Sequence, residues 1–440
     1  MPLLQTRGAA SAQGFGLFSA IADKYWMATL EGGPYDAANA IAVDSAGNVY
    51  VAGDSNASGT LRIQLAKYNA SGVIQWQRNL NPSNNGYAIA VDSSSNVYIA
   101  GVGNGTVTQI AKYDTSGTIL WQRKLTDAGS SYAYAIALDS SANVYVSGNM
   151  YTSGSQAIFV AKYDTSGTIQ WQRVLQNTDA GVTDQGRGVA VDSSGNVYIA
   201  GFGPPVDFSP EYQAYLIKYD TSGTLQWQRK LHGATNAKDY GYAVAVDASS
   251  NVYVVGESDN NNIGGISDGL IAKYNSSGTI QWQRRLGNTQ GASRMNSVAV
   301  DSSANIYICG TTSFNGPDQI LLAKYNTSGS LQWQRNIDNS TRMRGFGITT
   351  SLSNVYVAGY ILNSSNVGFF IAKLPNDGSL TGTYTVDGVS IIYAVTTKTD
   401  ATSTLTAGTA TLAASTGIAT DSATTATNTT TSLTSSVTTL

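Results

Sequence analysis

The chain has 440 residues, only 12% of them charged, and a formal net charge of −3. Because phosphate binding requires clustered Lys and Arg, this composition argues against nucleic acid as a partner. The single cysteine, Cys309, excludes an intrachain disulfide, and the single histidine, His232, excludes a metal site built from two or more histidines. No apolar run approaches the roughly 20 residues of a membrane span, so we expect no membrane insertion.

Residues 1–22 are small, glycine-rich and aperiodic. The apolar stretch at 2–4 is shorter than the roughly 7–15 residues of a secretion signal, so we expect no signal-peptide secretion. The run Gln-Thr-Arg-Gly-Ala-Ala-Ser-Ala-Gln-Gly-Phe-Gly at 5–16 resembles the N-terminal segment of virion structural proteins of marine bacteriophages. The resemblance implies a docking arm over 1–22, with Arg7, Phe15 and Phe18 as its contact residues, and a place on a virion assembled in the host cytoplasm. A disordered leader is the alternative.

From Trp26 onward the chain repeats itself. The stretch Lys-Tyr-Asp-Thr-Ser-Gly-Thr-Ile-Gln-Trp-Gln-Arg at 162–173 recurs in close copies at 67–78, 112–123, 218–229, 273–284 and 324–335. A second segment, Tyr-Ala-Ile-Ala-Val-Asp-Ser-Ser-Ser-Asn-Val-Tyr-Ile-Ala-Gly at 87–101, has seven copies spaced by about 50 residues, which is a period typical of propeller repeats.

Each unit contains four short runs rich in β-branched and aromatic residues: Ala-Ile-Ala-Val (strand A), Asn-Val-Tyr-Val-Ala-Gly (B), Ile-Ala-Lys-Tyr (C) and Ile-Gln-Trp-Gln-Arg (D). Asp-Ser-Ser-Gly-Asn and Asp-Thr-Ser-Gly links join A to B and C to D as tight turns. Four antiparallel strands per unit predict an all-β, seven-bladed propeller over 23–387. Residues 24–387 resemble the bacterial β-propeller repeat family.

Eight D-like strands accompany seven A–B–C sets, so one is surplus. We predict that residues 24–30 close the last blade as its outer strand, which removes a free edge. The alternative is that 381–386 fill that place. Residues 388–440 are mainly Thr, Ser and Ala, and we interpret them as a C-terminal tail or stalk.

The A–B and C–D turns are nearly identical in every unit, whereas the B–C and D–A loops vary. Variation concentrated on one rim of a repeat array is typical of a binding face, and drift in unconstrained loops is the alternative. Aromatic residues can stack on sugar rings or on another protein. The predicted ligand-binding residues are therefore Tyr151, Phe202, Phe208, Tyr212 and Phe314.

The Lys of strand C and the Arg of strand D recur in nearly every unit, which favours a structural role through pairing with Asp or turn capping. The repeat supplies mostly Ala, Ile and Val to the axial channel, and no nucleophile elbow or phosphate loop occurs. We therefore predict no catalytic residues, no metal and no cofactor, and a protein that is not an enzyme.

Two functions agree with these features. The first is a bacteriophage virion structural or appendage protein, whose propeller head is docked by its chain ends and presents the variable loop face for host-surface attachment. Its partners would be other virion proteins, further copies of the chain, and a host surface glycan or protein. The second is a lectin-like, carbohydrate-binding cell-surface propeller.

Overall fold

A computed structural model of the chain describes residues 25–439 apart from short segments between its strands. The segments outside the description are 32–34, 57–58, 60, 82, 105, 127–128, 153, 177–182, 205–210, 233–236, 260–265, 288–290, 314–315, 364–365, 387–388, 396–398, 403–405, 409–412, 417–419, 424–426 and 431–433.

The described chain forms seven antiparallel sheets arranged as the blades of a propeller, which confirms the predicted fold. The strands of the first four blades are β2 (Asp36–Val43), β3 (Val49–Ser55), β4 (Arg62–Tyr68) and β5 (Ile74–Asn81); β6 (Ser83–Val91), β7 (Val97–Gly103), β8 (Val107–Tyr113) and β9 (Ile119–Thr126); β10 (Ser131–Leu138), β11 (Val144–Thr152), β12 (Ser155–Tyr163) and β13 (Ile169–Gln176); β14 (Gln185–Val191), β15 (Val197–Gly203), β16 (Gln213–Tyr219) and β17 (Leu225–His232).

The fifth and sixth blades repeat this order, and the seventh takes its outer strand from the start of the chain. Their strands are β18 (Lys238–Val246), β19 (Val252–Asp259), β20 (Asp268–Tyr274) and β21 (Ile280–Gly287); β22 (Ser293–Val300), β23 (Ile306–Thr312), β24 (Gln319–Tyr325) and β25 (Leu331–Asp338); β26 (Arg342–Ser351), β27 (Asn354–Asn363), β28 (Asn366–Pro375) and β1 (Trp26–Glu31).

Ring closure follows the prediction made for residues 24–30. Strand β1 pairs antiparallel with β28, with Trp26 opposite Lys373. The indole Nε1 of Trp26 then donates to the carbonyl of Ala70 in the first blade, 3.2 Å away. The two ends of the propeller are therefore joined within one sheet, which leaves no gap between the seventh and first blades.

Each A–B turn is stabilised by hydrogen bonds to the side chain of its own aspartate. In the second blade, Asp92 Oδ1 accepts from the backbone N of Ser94 and of Asn96, and Oδ2 accepts from the Asn96 amide and the Tyr98 hydroxyl at 2.8 and 3.0 Å. Burial raises the pKa of Asp92, but these hydrogen bonds outweigh it, so the pKa lies below 3.8. Both oxygens of the Asp92 carboxylate are therefore used in hydrogen bonds within its own hairpin. The same pattern recurs at Asp44, Asp139, Asp192, Asp247 and Asp301.

Each outer strand clamps the C–D turn of the next blade. The Trp121 indole Nε1 and the Lys112 ammonium both donate to the carbonyl of Thr165, and Arg123 donates to the carbonyl of Gly167. The Arg123 guanidinium also lies over the Trp121 ring, 5.7 Å from its centroid. The repeated Lys and Arg thus bind backbone carbonyls between blades, which is the structural role expected of them, in its turn-capping form.

The core lies between neighbouring blades. One cluster joins Tyr98 and Ile110 of the second blade to Val146 and Phe159 of the third, all of them essentially inaccessible to solvent. Equivalent clusters fill the other described interfaces. Burial of this kind, repeated around the ring, supplies the main hydrophobic stabilisation.

Residues beyond the propeller add a further strand to every blade. After a hairpin of β29 (Gly382–Val386) and β30 (Val389–Val395), six short strands follow. Strand β30 pairs with the outer edge of the sixth blade, and the later strands pair with the fifth, fourth, third, second, first and seventh blades in turn. We call β30–β36 the belt; its remaining strands are β31 (Thr399–Thr402), β32 (Thr406–Gly408), β33 (Ala413–Thr416), β34 (Thr420–Ala423), β35 (Thr427–Thr430) and β36 (Thr434–Thr439).

The hairpin that leads into the belt accounts for the surplus D-like strand. Tyr384 lies in β29, which is the sixth strand of the sixth blade rather than the closing strand of the seventh. Residues 388–440, interpreted from the sequence as a tail or stalk, contribute backbone hydrogen bonds to the outer edges of all seven sheets. Covering an open sheet edge in this way removes a site for unwanted strand pairing.

Candidate ligand-binding site

Every innermost strand carries a β-bulge immediately before its repeated Ala-Ile-Ala-Val run. In the second blade the pairing passes from Gly86–Gly101 to Ala88–Ala100, which leaves Tyr87 without a partner. A bulge inserts an extra residue and re-aims its side chain. The seven bulge residues are Asn39, Tyr87, Tyr134, Arg187, Tyr242, Asn296 and Phe346.

All seven bulge residues line a single cavity of about 340 Å³ at the mouth of the axial channel, together with Phe202 and Arg294. We call this cavity the axial cup. It opens on the rim that carries the B–C and D–A loops, because the innermost strands begin there. Below the cup, the channel is lined by small and aliphatic residues such as Ala88, Ile89 and Val244, as the sequence predicts. The cup falls at the lower end of the volume range of small-molecule sites.

Packed aromatic rings form the cup wall over the second to fifth blades. The Tyr87 and Tyr134 ring centroids lie 5.0 Å apart, and those of Tyr240 and Tyr242 lie 5.8 Å apart and nearly parallel. The Phe202 and Tyr240 rings pack in a T-shaped arrangement, with their centroids 4.7 Å apart. Such packing holds the rings in fixed orientations, so they offer rigid apolar surfaces to a ligand.

Two arginines near the cup form ion pairs with acids. The Arg294 Nε lies 2.6 Å from Glu257, and the Arg344 Nε lies 2.6 Å from Asp318. Glu257 also accepts a hydrogen bond of 3.0 Å from the Tyr242 hydroxyl. Burial, followed by the negative charge of Glu257, raises the pKa of Tyr242 well above 10, so this hydroxyl stays protonated and donates.

Arg187 differs from these arginines because no carboxylate pairs with it among the described residues. Its guanidinium carbon lies 4.0 Å from the Tyr134 ring centroid and 5.6 Å from that of Phe202. Its Nη2 donates to the side-chain oxygen of Gln185, and its Nε has no hydrogen-bond partner in the described structure. Arg187 is therefore a cation held by aromatic faces rather than by an acid.

Asp54 lies behind the first-blade side of the cup. It accepts from the Asn39 amide at 3.0 Å and from the backbone N of Gly86 at 2.9 Å. Burial raises its pKa to about 6, although these hydrogen bonds act in the opposite direction. Asp54 thus fixes the orientation of Asn39, a bulge residue, and links the first two blades.

The predicted ligand-binding residues do not form one group. Phe202 is 7% exposed and contributes to the aromatic wall, and the half-buried Tyr212 stacks on Tyr240 at 5.5 Å behind it. Tyr151 is 46% exposed and does not line the cup; its hydroxyl donates to the carbonyl of Gly154. Phe208 and Phe314 lie outside the described residues, as do the docking-arm residues Arg7, Phe15 and Phe18.

Sequence reasoning missed the bulge ring, although a signal was present. Aligning the seven copies of strand A shows an almost constant Ala-Ile-Ala-Val run preceded by a residue that differs between copies, for example Tyr87, Arg187 and Phe346. A position that varies within a conserved scaffold supplies the asymmetry that a single site requires. The expectation of an aliphatic axis holds for the channel and fails at its mouth.

Among the described residues, no group of three or more His, Cys, Asp or Glu side chains is arranged to hold a metal ion. Within that part of the chain, no helix has the length and hydropathy to cross a membrane.

Comparison with known proteins agrees with the repeat architecture. The family described as outer membrane protein assembly factor BamB matches residues 61–259 and 157–372, which together span more than half of the chain. A second family, described as beta-propeller repeat, matches residues 26–59. The uncharacterized WD repeat-containing protein L264 of Acanthamoeba polyphaga mimivirus is 24% identical to the chain. That match covers 40% of this chain and 18% of the viral protein, so the chain spans about a fifth of this relative.

Solved structures with the same shape include enzymes. The ulvan lyase of polysaccharide lyase family PL25, bound to -[GlcA(1-4)Rha3S]-, has a TM-score of 0.53 and 11% identity over 79% of this chain and 96% of its own. The polysaccharide lyase Uly1 has a TM-score of 0.50 and 9% identity, over 77% and 90%. A puromycin hydrolase S511A mutant complexed with PGG has a TM-score of 0.51 and 13% identity, over 81% and 58%. Identities this low show a common fold alone.

The prediction that the chain is not an enzyme is wrong as it was argued. It assumed that a propeller with this repeat presents mostly Ala, Ile and Val to its axis. The solved propellers above are described as lyases and a hydrolase, and the mouth of the axis here carries Tyr, Arg, Asn and Phe. Neither the propeller fold nor the set of residues that line the axial cup argues against catalysis.

Proposed function

The chain belongs to the family described as outer membrane protein assembly factor BamB, and we propose that it binds a saccharide in the axial cup. One observation carries the proposal: the seven bulge positions hold four different residue types, whereas the inter-blade clamps and turns behind them are nearly identical. Packing of the repeated blades does not require different residues at the bulge positions. We therefore attribute the different residues at the mouth of the axial channel to a ligand that lacks sevenfold symmetry.

The chemistry of the cup agrees with a saccharide. Three tyrosines and a phenylalanine at the bulges give flat apolar surfaces. Asn39 and Asn296 give side-chain carbonyl acceptors at the same level, because their amide nitrogens already donate within the protein. Sugar rings combine an apolar face with hydroxyls around the edge, so they use both kinds of group. A side groove of about 210 Å³, lined by Glu257, Arg294, Asp318 and Arg344 among others, extends the cup over the fifth to seventh blades and lengthens the site beyond one sugar.

A glycan array of bacterial surface polysaccharides, probed with the full chain, tests this function. Tyr134→Ala removes a cup ring, and we expect binding to weaken about 3- to 10-fold, the loss that one aromatic contact of about 0.5–1.5 kcal/mol implies. Tyr151→Ala is the matched control, since Tyr151 is an exposed tyrosine that does not line the cup. Equal loss in both variants, or no glycan bound by the unmodified chain, would refute the proposal.

The biological setting that we propose is a bacteriophage virion. The chain would act there as a structural or appendage protein, docked by residues 1–22, with its cup directed to the host surface. Support comes from the resemblance of residues 5–16 to virion proteins of marine bacteriophages and from the viral origin of one matched relative. Mass spectrometry of purified virions should detect the chain in stoichiometric amounts, and its absence from particles would reject this setting without affecting the saccharide site.

Attachment and catalysis are separated by one further measurement. Reducing-end release from the bound polysaccharide, measured in the samples used for binding, shows whether the chain only holds the glycan or also cleaves it. The lectin-like function on a cell surface differs from the virion setting only in location, so the same binding data serve both.

A further inference from the structure

We infer that the saccharide taken by the axial cup is acidic, and that Arg187 binds its carboxylate or sulfate group. This inference rests on the proposed saccharide-binding function and names the ligand class for that same site. It is carried by the different environments of the arginines around the cup.

The arginines beside the cup in the fifth to seventh blades each form an ion pair with an acid. Arg294 is paired with Glu257, and Arg342 and Arg344 share Asp318, with Nε–oxygen distances between 2.6 and 3.7 Å. A ligand that bound these arginines through an anionic group would have to displace or repel an acid already in place.

Arg187, in contrast, has no acid partner among the described residues. It occupies a bulge, it lines the cup, and its only hydrogen bond in the described structure goes from Nη2 to the neutral side chain of Gln185. Tyr134 and Phe202 hold the guanidinium through their ring faces, so its plane is fixed, and no carboxylate among the described residues pairs with it. Nε is buried, but Nη1 keeps both of its N–H donors and Nη2 keeps one for a further partner.

A planar guanidinium with free donors matches the geometry of a carboxylate or a sulfate, which can accept two parallel hydrogen bonds. A neutral sugar offers hydroxyls, which gain less from such a cation. The aromatic surfaces on either side would hold the apolar face of the same sugar ring, so one residue of an acidic glycan satisfies both features of the site.

The experiment compares pairs of glycans that differ only in the acid group. Uronic-acid oligosaccharides are measured beside their carboxyl-reduced counterparts, and sulfated oligosaccharides beside their desulfated counterparts, with the full chain by calorimetry. We expect the acidic member to bind roughly 10- to 100-fold more tightly, the range for a hydrogen bond to a charged group. The pair with the larger ratio identifies the acid group as carboxylate or sulfate.

Arg187→Gln should abolish this preference, so that both members of a pair bind with about equal affinity. Arg342→Gln is the control: it removes the same charge from a residue that is paired with Asp318 and does not line the cup, and the preference should persist. Equal binding of both members of every pair by the unmodified chain would overturn the inference and leave saccharide binding intact. Failure to bind any glycan would instead reject the proposed function.

Discussion

The clamp between blades can be tested at a single glycine. Gly167 lies in the C–D turn of the third blade with φ +77°, and a Cβ added there would meet the Trp121 indole of the second blade at 2.8 Å. Gly154, in the B–C loop of the same blade, has φ +85° with nothing within 4 Å of an added Cβ. Alanine at either position suffers the same unfavourable backbone conformation, but only Gly167→Ala also collides with the clamp.

The expected magnitudes follow from these two terms. A left-handed conformation costs a non-glycine residue about 1–2 kcal/mol, which is the whole effect expected for Gly154→Ala. Overpacking against a ring that is hydrogen-bonded to Thr165 adds about 1–3 kcal/mol for Gly167→Ala. The free energy of unfolding should therefore fall by about 2–5 kcal/mol for Gly167→Ala and by about 1–2 kcal/mol for the control.

Urea unfolding gives both values from the shift in midpoint, provided that the slope is unchanged between variants. A double-mutant cycle makes the comparison stricter: in a Trp121→Ala background the collision partner is gone, so Gly167→Ala should cost no more than Gly154→Ala. If Gly167→Ala and Gly154→Ala destabilise equally in the unmodified background, Trp121 does not pack on the turn and the clamp is wrongly described.

Three other predictions concern the belt, a buried acid and the thiol. Deleting residues 434–440 removes β36, so hydrogen exchange should accelerate at the backbone amides of β1. The amides of β5 should keep their protection, because β35 still pairs with that strand. Faster exchange in both β1 and β5 would contradict independent pairing of the belt strands. The pKa of Asp54 is raised to about 6, so its contribution to stability is present below pH 3.8 and is lost as pH rises through 6. This loss amounts to about 3 kcal/mol at most, and Asp54→Asn should flatten that part of the stability–pH curve; an unchanged curve would show that Asp54 is not perturbed. Burial raises the pKa of the Cys309 thiol, so a thiol reagent should react with it only after unfolding, and rapid labelling of the native protein would contradict its burial.

The blades were predictable because each strand carries its own local signal. Period-2 alternation, β-branched residues and Asp-x-Ser-Gly turns specify a hairpin without reference to the rest of the chain, as at 162–173. Ring closure was predictable by counting, since Trp26 heads a D-like strand with no A–B–C set before it. Its indole binds Ala70 as the other clamps bind their turns.

The belt was not predicted, although a weak signal existed. Strands β31 to β36 begin at Thr399, Thr406, Ala413, Thr420, Thr427 and Thr434, at intervals of seven residues. Thr- and Ser-rich composition without aromatic residues is typical of disordered tails, and that compositional signal outweighed the period. Short edge strands gain their stability from the sheet that they join, so their own sequence carries little of it.

The axial cup depends on features that no single repeat displays. A bulge is invisible in the pattern of one strand, because its extra residue looks like one more position of an alternating run. Only superposition of the seven copies shows that Tyr87, Arg187 and Asn296 occupy one level around the axis. Their mutual distances arise from ring closure, which is a property of the whole chain.

The same geometry explains how a repeated scaffold can carry an asymmetric site. The clamp residues bind backbone carbonyls of the next blade, so a change in one of them would weaken an interface between blades. A bulge residue has no partner in the ladder and lines the cup, so a change there leaves the ladder intact. Asn39 and Asn296 are exceptions at the interface between blades, because their amides donate to the Gly86 and Gly345 carbonyls of the next blade. Substitutions at the other five bulges should therefore alter ligand affinity with little change in stability, whereas substitutions at the clamps should do the reverse. A Tyr134→Ala variant that loses as much stability as Trp121→Ala would contradict this division of roles.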